Sequence, residues 1–512
     1  MDHQDGNRTG LFMALELTPG QLPDQPVWKE REPNSYADFG GNFAMTTRRQ
    51  ITHDRQHTKG DVSDNNPTGG WNEDLTPNNM QELMEGFLYA DAHQNPTTRP
   101  LNGTAIPITS VNAAADEYRA ASGLAIFGPG DLVFASGFFN PANNGLKVVT
   151  GADTDSVGVS AALVDDATPA ATAMLEVVGF QFAAGGAALS LPAGRAVLTV
   201  SAGGLLDLGI EPGEYVGVVG FSATGNNAPF YARVSNVTDT TLEFDKTTGV
   251  QAADTGTGKT VQLFFGTVIR NEDDCTLITE RTWTLERQYG CGVDAQSDYV
   301  TKWTPNQITV TVPTPGADAK VTVDIAGIAG ASGERTTTEG VLTGLAGASV
   351  VSALNEPCFK PGLDVFQHKL AVIDETTLNP TSLVAYNSEA SLVINNNVAG
   401  NKAIETFGNA FMNIGEFAVT GSLTAYWTSV EATRRVRQGA DLTWHLILTK
   451  RNSAVIFDLA SLGLGNARAT VEANTPVRLP LDTAAGKGKF GYTLLTTFLR
   501  YVPDALVAQA RI

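Results

Sequence analysis

The sequence predicts a mainly β fold built from duplicated β-sandwich or barrel domains, with short packed helices and an inserted pair of β-modules. Three observations carry this prediction. Gly, Ala, Thr and Val are abundant in the 512 residues, whereas charged residues make up only 17%, below the roughly 25% of an average chain. Apolar and polar residues alternate over most of residues 415–450, which is the period of half-buried strands. A pattern of turn residues recurs 83 positions later in the chain and indicates a repeated β-module.

Residues 415–450 predict a strand, a short helix and a second strand. In the first strand, the predicted buried side is Phe417, Val419, Leu423, Ala425 and Trp427, and the predicted wet side is Glu416, Thr420, Ser422, Thr424 and Tyr426. Residues 429–438 change to helical spacing, with Val430, Thr433 and Val436 on one side. Alternation then resumes from Leu442 to Leu448. Strands this long and regular favour a building block that packs beside copies of itself over a site for chemistry.

The first domain is predicted to begin in residues 1–120. Residues 1–35 are polar and Pro-rich and predict an extended segment, and residues 45–58 predict a strand. Thr76 and Pro77 suit the N-cap and the first position of a helix. The helix then places an apolar stripe on one face, formed by Met80, Leu83, Met84, Phe87 and Leu88.

Residues 121–265 predict an inserted pair of small β-modules, with repeats near 124–165 and 204–250. PGDLVFASGFFNPANNG at 129–145 and PGEYVGVVGFSATGNNA at 212–228 share Pro-Gly-acidic, Gly-Phe and Asn-Asn at equal positions. Gly and Asn tolerate the left-handed backbone of tight turns. We therefore expect two copies of one module, each with a strand that ends at Gly-Phe.

The first domain is predicted to resume at 266–345, and a second domain to occupy 346–512. Residues 307–326 alternate around Pro315-Gly316 and predict a hairpin, and a linker rich in Gly, Ala and Thr follows at 327–350. Strands of the second domain are predicted near residues 391–396, 414–427, 441–449, 454–458, 475–481 and 490–500. Because both domains combine long amphipathic strands with one short helix, we interpret them as duplicates.

The charge balance excludes ordinary nucleic-acid binding. The net charge is −20 and the pI is near 4.7, whereas binding to phosphates needs Lys and Arg to displace counterions. Such a chain can still surround DNA without adhering to it. Three cysteines without a CxxC pair predict reduced thiols and cytoplasmic synthesis. We find neither a signal-peptide pattern at the start of the sequence nor an apolar run that approaches 18 residues, so we expect no membrane span.

Motifs that could hold a phosphate or a metal are better explained as structure. TGTGKT at 255–260 has Ala253 where a P-loop needs glycine, and it predicts a turn between two strands. His53 and His57 share one face of the predicted strand at 45–58, but no dense set of ligands accompanies them.

Residues that could act as a nucleophile or a nucleic-acid contact lack the necessary companions. Cys291 has no assignable base. Arg434, Arg435 and Arg437 predict a solvated helix face or a subunit contact. We therefore predict a protein that is not an enzyme and has no catalytic, cofactor-binding or metal-binding residues.

Several segments occur in an order that is typical of one protein family. In the first domain they are WTLERQYG (283–290), QITVTVP (307–313) and VTVDIAG (321–327). In the second domain they are SEASLVINNN (388–397), IGEFAVTGSLTAYW (414–427) and LTWHLILTK (442–450). In this order the chain resembles the major tail tube proteins of long-tailed, non-contractile (siphovirus-like) bacteriophages. The Pro-Gly-acidic modules resemble a small insertion in some members, which occurs twice here.

The resemblance implies a structural protein of the virion tail, made in the cytoplasm of the host bacterium. Each domain would supply sheets to a closed barrel, and rings would stack into a tube that conducts genome DNA during ejection. Two tube domains in one chain imply homotrimeric rings with pseudo-sixfold symmetry. The partners would be other copies of the chain and the tail terminator, tape measure and baseplate proteins. DNA would pass without specific binding, and no membrane would be involved.

The resemblance also implies that the polar faces of the long strands line an acidic lumen. The candidate lumen-facing residues are Asp324, Glu416, Thr420 and Thr424. Like charge repels the DNA backbone, so the genome would slide. The inserted modules at 121–265 are expected on the outer surface, because they are too bulky for the lumen or for the space between rings.

Three alternatives stay open at this point. One is another structural protein of the phage tail or baseplate, which would not polymerise into tubes. Another is a β-rich surface adhesin, against which the missing signal-peptide pattern counts. A glycan-active enzyme would need two carboxylates facing a cleft lined with aromatic residues, whereas Asp and Glu are scattered here.

Overall fold

In the computed structural model the chain is mainly β, as the sequence predicts. The structure describes residues 6–51, 53–54, 56–94, 106–221, 229–249, 251–372, 382–384 and 386–508. Within these ranges there are two α-helices, and neither is long and apolar enough to cross a membrane.

The elements fall into four consecutive groups. The first is β1 (Thr9–Leu15), β2 (Val27–Arg31), β3 (Pro33–Gly40), β4 (Phe43–Thr46), β5 (Asp61–Asn65), β6 (Thr68–Asp74), α1 (Gln81–Leu88) and β7 (His93–Gln94). The second is β8 (Ile108–Asn112), β9 (Glu117–Ala120), β10 (Asp131–Ser136), β11 (Gly145–Ala152), β12 (Ser156–Val159), β13 (Met174–Gln181), β14 (Ala187–Ser190), β15 (Ala196–Val200), β16 (Tyr215–Val219), β17 (Phe230–Val237), β18 (Thr241–Thr247) and β19 (Gln262–Phe264). The third is β20 (Thr267–Arg270), β21 (Trp283–Tyr289), β22 (Gln296–Val312), β23 (Thr322–Ile328), β24 (Ala331–Arg335) and β25 (Ser349–Val351). The fourth is β26 (Val365–Val372), β27 (Asn387–Asn395), β28 (Ala399–Asn401), β29 (Phe411–Asn413), β30 (Ala418–Tyr426), α2 (Glu431–Gln438), β31 (Leu442–Lys450), β32 (Ser453–Asn466), β33 (Arg478–Gly486) and β34 (Leu494–Leu499).

One topology occurs twice, in a first half (β1–β6, α1 and β21–β25) and a second half (β26–β34 with α2). In the first half, β6, α1, β21, β22 and β23 follow in order, and β23 pairs with both β22 and β6. In the second half, β30, α2, β31, β32 and β33 do the same, and β33 pairs with both β32 and β30. Strands β1 and β3 lie beside β21 and β6, just as β26 and β27 lie beside β31 and β30.

The irregularities of the strand pairing also recur. The β3–β6 ladder skips one residue after Pro33, and the β27–β30 ladder skips one after Asn387. The β21–β22 register shifts after Trp283, and the β31–β32 register shifts after Leu442. Bulges are defined features of a fold rather than accidents, so these shared bulges identify the halves as copies of one architecture.

An antiparallel ladder between β22 and β27 joins the two halves. It runs from Gln307 opposite Asn395 to Val312 opposite Ala390. The result is one continuous sheet in the order β3-β6-β23-β22-β27-β30-β33, which we call the long sheet. One face of the long sheet is apolar and belongs to the main hydrophobic core, through residues such as Trp71, Ile308, Ile325, Ile394 and Leu423.

Helix α1 covers the first-half core, where three tryptophans meet. The ring of Trp303 lies 5.6 Å from that of Trp71 and 5.9 Å from that of Trp283. Gly86 permits this packing, because a Cβ at that position would lie 2.3 Å from Trp283. The predicted apolar stripe of the helix is buried as expected, through Met80, Leu83, Met84, Phe87 and Leu88.

Strands β8–β19 form a separate twelve-stranded sheet, which we call the inserted sheet. Its order is β8-β9-β12-β11-β10-β13-β19-β16-β17-β18-β15-β14. Two six-stranded modules with the same strand order therefore meet at the β13–β19 ladder. The two repeated stretches supply the equivalent strands β10 and β16. Gly137 and Gly220 follow these strands with positive φ, and a Cβ at either would lie 2.2 Å from a carbonyl oxygen, so both positions require glycine. Strands β8 and β9 precede residue 121, and residues 222–228 of the second repeat lie outside the described residues.

The inserted sheet packs against the second half. A buried cluster combines its residues with those of β31, β32 and β34, and includes Leu132, Tyr215, Tyr231, Phe264, Ile447, Ile456, Leu495 and Leu499. Strand β20, directly after the inserted sheet, pairs with β34. In consequence β31 is buried on both faces along almost its whole length, although its sequence alternates like that of a half-wet strand.

The helix predicted to start at Thr76 and Pro77 starts at Gln81 instead, with Met80 as the N-cap. The Asn79 side chain accepts a hydrogen bond from the Thr76 N–H at 3.0 Å and donates one to the Asp74 carbonyl oxygen at 2.8 Å. These bonds hold residues 76–79 in a turn, so the helix begins later.

The strand predicted at 45–58 is also wrong beyond Thr46. No face of residues 43–51 is buried, so nothing holds the alternating pattern against a core. His53 and His57 therefore do not share a strand. Positions 52 and 55 of the predicted strand lie outside the described residues.

Two segments that were predicted as an extended stretch and as a linker contribute strands. The polar stretch 1–35 supplies β1 and β2, and β1 buries Leu11 and Met13 in the core. The predicted linker 327–350 supplies β24 and most of β25, which runs parallel to β2. In α2, Val430 was predicted on the packed side but is 63% exposed, because the helix rests on the sheet through Ala432 and Val436.

Candidate functional site

The face of the long sheet that points away from the core is polar and continuous across both halves. Because side chains alternate between faces, register partners on neighbouring strands lie side by side. One row runs across seven strands through Ser35, Asn72, Asp324, Thr309, Val393, Thr420 and Ala484. The next row contains Asp74, Thr322, Thr311, Ser391, Ser422 and Asp482. We call this surface the polar face.

The polar face is acidic. On its described strands, the positions in phase with these rows carry four carboxylates, Asp74, Asp324, Glu389 and Asp482, and one cation, Arg478. The excess of carboxylates therefore gives this surface a negative potential.

Neutral donors orient several of these carboxylates. Asn72 donates a hydrogen bond to Asp324 at 2.7 Å, and Thr424 donates one to Glu389 at 2.8 Å. An amide or hydroxyl fixes a carboxylate without cancelling its charge. Of the four carboxylates, only Asp74 has its charge offset by a cation, because it pairs with Lys320 at 2.7 Å.

The predicted lumen residues occupy this surface to different degrees. Asp324 and Thr420 are exposed on the polar face, and Thr424 is half-buried on it. Glu416 is exposed but precedes β30, so it lies beside the sheet rather than in it. The sequence reasoning missed other polar-face residues, among them Asn72, Asp74, Glu389 and Asp482. The alternation of Glu389 and Ser391 with Ala390 and Leu392 in SEASLVINN could have identified Glu389 as a residue of this face.

Both ends of the long sheet carry an edge without a partner in the described chain. At one end, strand β3 pairs only with β6. At the other end, residues 463–466 of β32 extend the sheet beyond β33 and pair only with β33. The equivalent residues of β22 in the first half have a second partner strand, because they also pair with β27. The chain thus contains one complete joint between halves and two strand edges that pair on one side only.

A hairpin projects between equivalent strands of each half. These arms are β4–β5, between β3 and β6, and β28–β29, between β27 and β30. They contact each other, since the rings of Phe43 and Phe407 stack at 6.2 Å and Lys402 pairs with Asp64 at 3.0 Å. Several apolar side chains of the arms remain exposed, namely Met45, Ile51, Val62, Ile404 and Phe411. Exposed apolar groups concentrated in two arms indicate contact surfaces.

Asp458 of β32 lies in a buried polar network between the second half and the inserted sheet. Its carboxylate accepts hydrogen bonds from Lys246 at 2.8 Å, Tyr215 at 2.9 Å, Arg233 at 3.0 Å and Tyr492 at 3.1 Å. Asp458 is completely inaccessible to solvent. Three of the four donors belong to the inserted sheet, so the network orients that sheet on the second half.

The pKa values of the network follow from burial and mutual charge. Burial alone would raise the pKa of Asp458, but Lys246 and Arg233 outweigh it and lower that pKa below its usual range. Burial lowers the pKa of Lys246 to about 8 despite the attraction of Asp458. Arg233 also pairs with Asp245 at 2.9 Å, and two carboxylates therefore balance two buried cations.

His93, Glu211 and Glu214 form a group of possible metal ligands where β7 meets the inserted sheet. Burial opposes protonation of His93, but its 2.6 Å hydrogen bond to Glu214 and the charges of both glutamates raise its pKa. Arg270 already pairs with Glu211 at 2.9 Å. Because the two carboxylates approach different ring nitrogens and one is neutralised, we interpret this group as an ion-pair cluster.

The other motifs from the sequence have structural roles. The TGTGKT segment forms the predicted turn, in which Lys259 pairs with Asp254 at 2.7 Å. Cys291 is exposed and accepts a hydrogen bond from Arg8 at 3.1 Å. Arg435 pairs with Glu431 along α2 at 2.7 Å.

Comparison with models of known protein families gives a match. A family model described as phage tail tube protein matches residues 6–485, which include both halves and the inserted sheet. No curated protein matches the chain.

Proposed function

The chain belongs to the phage tail tube protein family, and we propose that it polymerises into stacked rings that form the tube of a siphovirus-like tail. Genome DNA passes through this tube during ejection. The observation that carries the proposal is the long sheet, which repeats one topology twice and leaves matching edges at both ends.

The edges support a ring that closes through strand pairing. In the chain, β22 of the first half pairs with β27 of the second. By the same geometry, the end of β32 pairs with β3 of the next chain, because β3 occupies in the first half the position of β27 in the second. Closure removes the exposed strand edges of the long sheet. With two tube domains per chain, three chains complete a homotrimeric ring with pseudo-sixfold symmetry.

The proposed joint between chains has a register that can be predicted from the joint within the chain. Thr311 lies opposite both Thr322 and Ser391 within the chain. Thr470, which bridges to Arg478, is the second-half equivalent of Thr311, and Ala37 is the first-half equivalent of Ser391. Thr470 of one chain should therefore lie opposite Ala37 of the next.

Closure of the long sheet puts the polar face inside. The opposite face carries the core, the helices and the inserted sheet, so only the polar face can border a narrow channel. Asp324, Glu416, Thr420 and Thr424 are then candidates for the lumen lining. An acidic wall repels DNA phosphates, and the genome slides without binding.

The inserted sheet lies on the outside of the tube. It packs on β31, β32 and β34, which belong to the layer remote from the polar face. The arms at residues 43–65 and 399–413 stack one ring on the next through their exposed apolar residues. The tail terminator and baseplate proteins meet the ends of the tube, and the tape measure protein occupies the lumen before ejection.

Electron microscopy of the purified chain and of its virion tests the assembly. Regular tubes with a central channel and three chains per ring are expected. Discrete particles at every concentration, with few copies in the virion, would instead indicate a baseplate component.

A disulfide cross-link tests the joint between chains. Ala37→Cys with Thr470→Cys, on a background with the native cysteines replaced by serine, should give covalent species of one, two and three chains after oxidation. Tyr36→Cys with Thr470→Cys is the matched control, because a shift of one residue points the side chain to the opposite face. Tubes without cross-linked trimers, or with a ladder that extends beyond three chains, would contradict the trimeric ring.

A further inference from the structure

We infer that the segment between α1 and β21 braces the joint between the two halves, so that each chain is a rigid sector of the ring. We call β7, the inserted sheet and β20 together the brace. Its consequence for ring size rests on the proposed function. Its rigidity is a property of the single chain and can be measured without assembly.

The brace begins and ends in the first half. It leaves after α1 and returns before β21, and at this crossing Ala90 and Ile278 form a β-bridge. Arg281, on the returning chain, makes ion pairs with Glu85 at 3.5 Å and with Asp91. The two crossings of the chain are therefore tied to each other and to the end of α1.

The body of the brace is docked on the second half. Leu132 and Leu146 of the first module and the equivalent Tyr215 and Tyr231 of the second module form one docking face. The Tyr231 hydroxyl donates a hydrogen bond to the carbonyl oxygen of Leu506 at 2.8 Å. A buried apolar interface of this kind suppresses the relative motion that separate domains otherwise show.

Directional contacts fix the orientation of the docked sheet. Apolar faces can slide over one another, but a buried charge must meet its partners. Asp458 binds Lys246 and Arg233 of the inserted sheet, and the Tyr492 hydroxyl, which also contacts Asp458, lies 3.0 Å from the carbonyl oxygen of Gly213. Strand β20 adds four register pairs with β34.

The joint between chains has no such brace. In the second half, residues 439–441 alone connect α2 to β31, at the place where the brace departs in the first half. The ring therefore alternates between joints that are built and locked within a chain and joints that form during assembly. A fixed angle between the two halves of each chain restricts the ring to one number of chains.

Undocking the brace tests the inference. Phe134 stacks on Tyr501 with ring centroids 5.1 Å apart, and it lies on the docking face rather than in the core of its module. We combine Phe134→Asp, Leu146→Asp and Tyr231→Asp. Val164→Asp is the matched control, because Val164 is an exposed residue of the same module.

Spin labels at Thr338→Cys in the first half and Val430→Cys in the second, after replacement of the native cysteines, report the angle between the halves in the free chain. The distance distribution should broaden about twofold in the undocked variant and stay unchanged in the control. Rings of the undocked variant should also contain variable numbers of chains. If the triple variant does not fold, Phe134→Asp alone should give a smaller broadening.

Two outcomes are distinguishable. Unchanged distances in a folded variant whose inserted sheet has lost its hydrogen-exchange protection would overturn the brace and leave the proposed tube intact. A narrow distribution that broadens on undocking, in a chain that never forms tubes, would support the brace and contradict the proposed function.

Discussion

Asp458→Asn should destabilise the protein far more than its isosteric nature suggests. The carboxylate is buried and accepts from two cations and two tyrosine hydroxyls. The amide keeps the shape but removes the charge. The remaining carboxylate, Asp245, already pairs with Arg233 at 2.9 Å and Lys489 at 2.8 Å, so Lys246 loses its ion pair.

The magnitude follows from the unpaired charge. Breaking a buried ion pair by removing one partner costs about 3–5 kcal/mol, a large part of the roughly 5–15 kcal/mol that stabilises a typical domain. Lys246 limits the loss, because its pKa is already about 8 and falls further without Asp458. The lysine then releases its proton near neutral pH, so we expect a value near the lower end of that range.

Urea unfolding of the unassembled chain measures the effect. Glu243→Gln is the matched control, since Glu243 pairs with Arg195 at 3.2 Å in a partly exposed site, where such pairs contribute about 0–1 kcal/mol. Adding Lys246→Met to Asp458→Asn should recover part of the loss, because it removes the unpaired cation. A loss for Asp458→Asn no larger than that of Glu243→Gln would refute the reasoning.

Three further predictions concern the repeat, the pH dependence and the polar face. Gly220→Ala should lower the free energy of unfolding by more than about 2 kcal/mol, because its Cβ would lie 2.2 Å from the Thr260 carbonyl oxygen. Gly249→Ala is the control for the urea titration, because a Cβ there would make only an ordinary contact with the Gln251 side chain at 3.8 Å. Burial lowers the pKa of Lys369 to about 8. Between that pH and about pH 10.4 the unfolded chain therefore binds one proton more than the folded chain, so the free energy of unfolding should rise with pH. A Lys369→Met variant whose free energy of unfolding rises with pH by the same amount would contradict this. Tubes with Asp324→Arg should retain DNA at low salt and release it at high salt, whereas tubes with Asp324→Asn should not retain it, as a gel-retention assay can measure.

The alternating strands were predictable because one face of each meets water. Residues 307–326 and 414–427 show period two, and the structure has β22, β23 and β30 at these places. The same pattern predicted part of the polar face, namely Asp324, Thr420 and Thr424. Asp74 and Asn72 were missed because they lie in TGGWNED, where Gly replaces the polar residues that would reveal the phase.

The docking of the inserted sheet could not be predicted, because its contacts have the sequence signature of a wet face. Thr443 and His445 alternate with Leu442 and Trp444 like solvent-facing residues, yet they are buried under the inserted sheet. Lys246 looks like a surface lysine until Asp458, more than 200 positions away, meets it. Local patterns record the polarity of a side chain but not the distant partner that satisfies it.

In the proposed ring of three chains, the covalent linkage of two equivalent halves changes the thermodynamics of closure. Six separate domains would need five association steps, whereas three linked pairs need two, and each step omitted spares the loss of translational and rotational freedom. Within the pair, each half meets the other at an effective concentration in the millimolar range that does not depend on expression level. The threshold for tube growth is therefore set by only one of the two kinds of joint, so weak contacts there suffice for assembly when the chain is scarce.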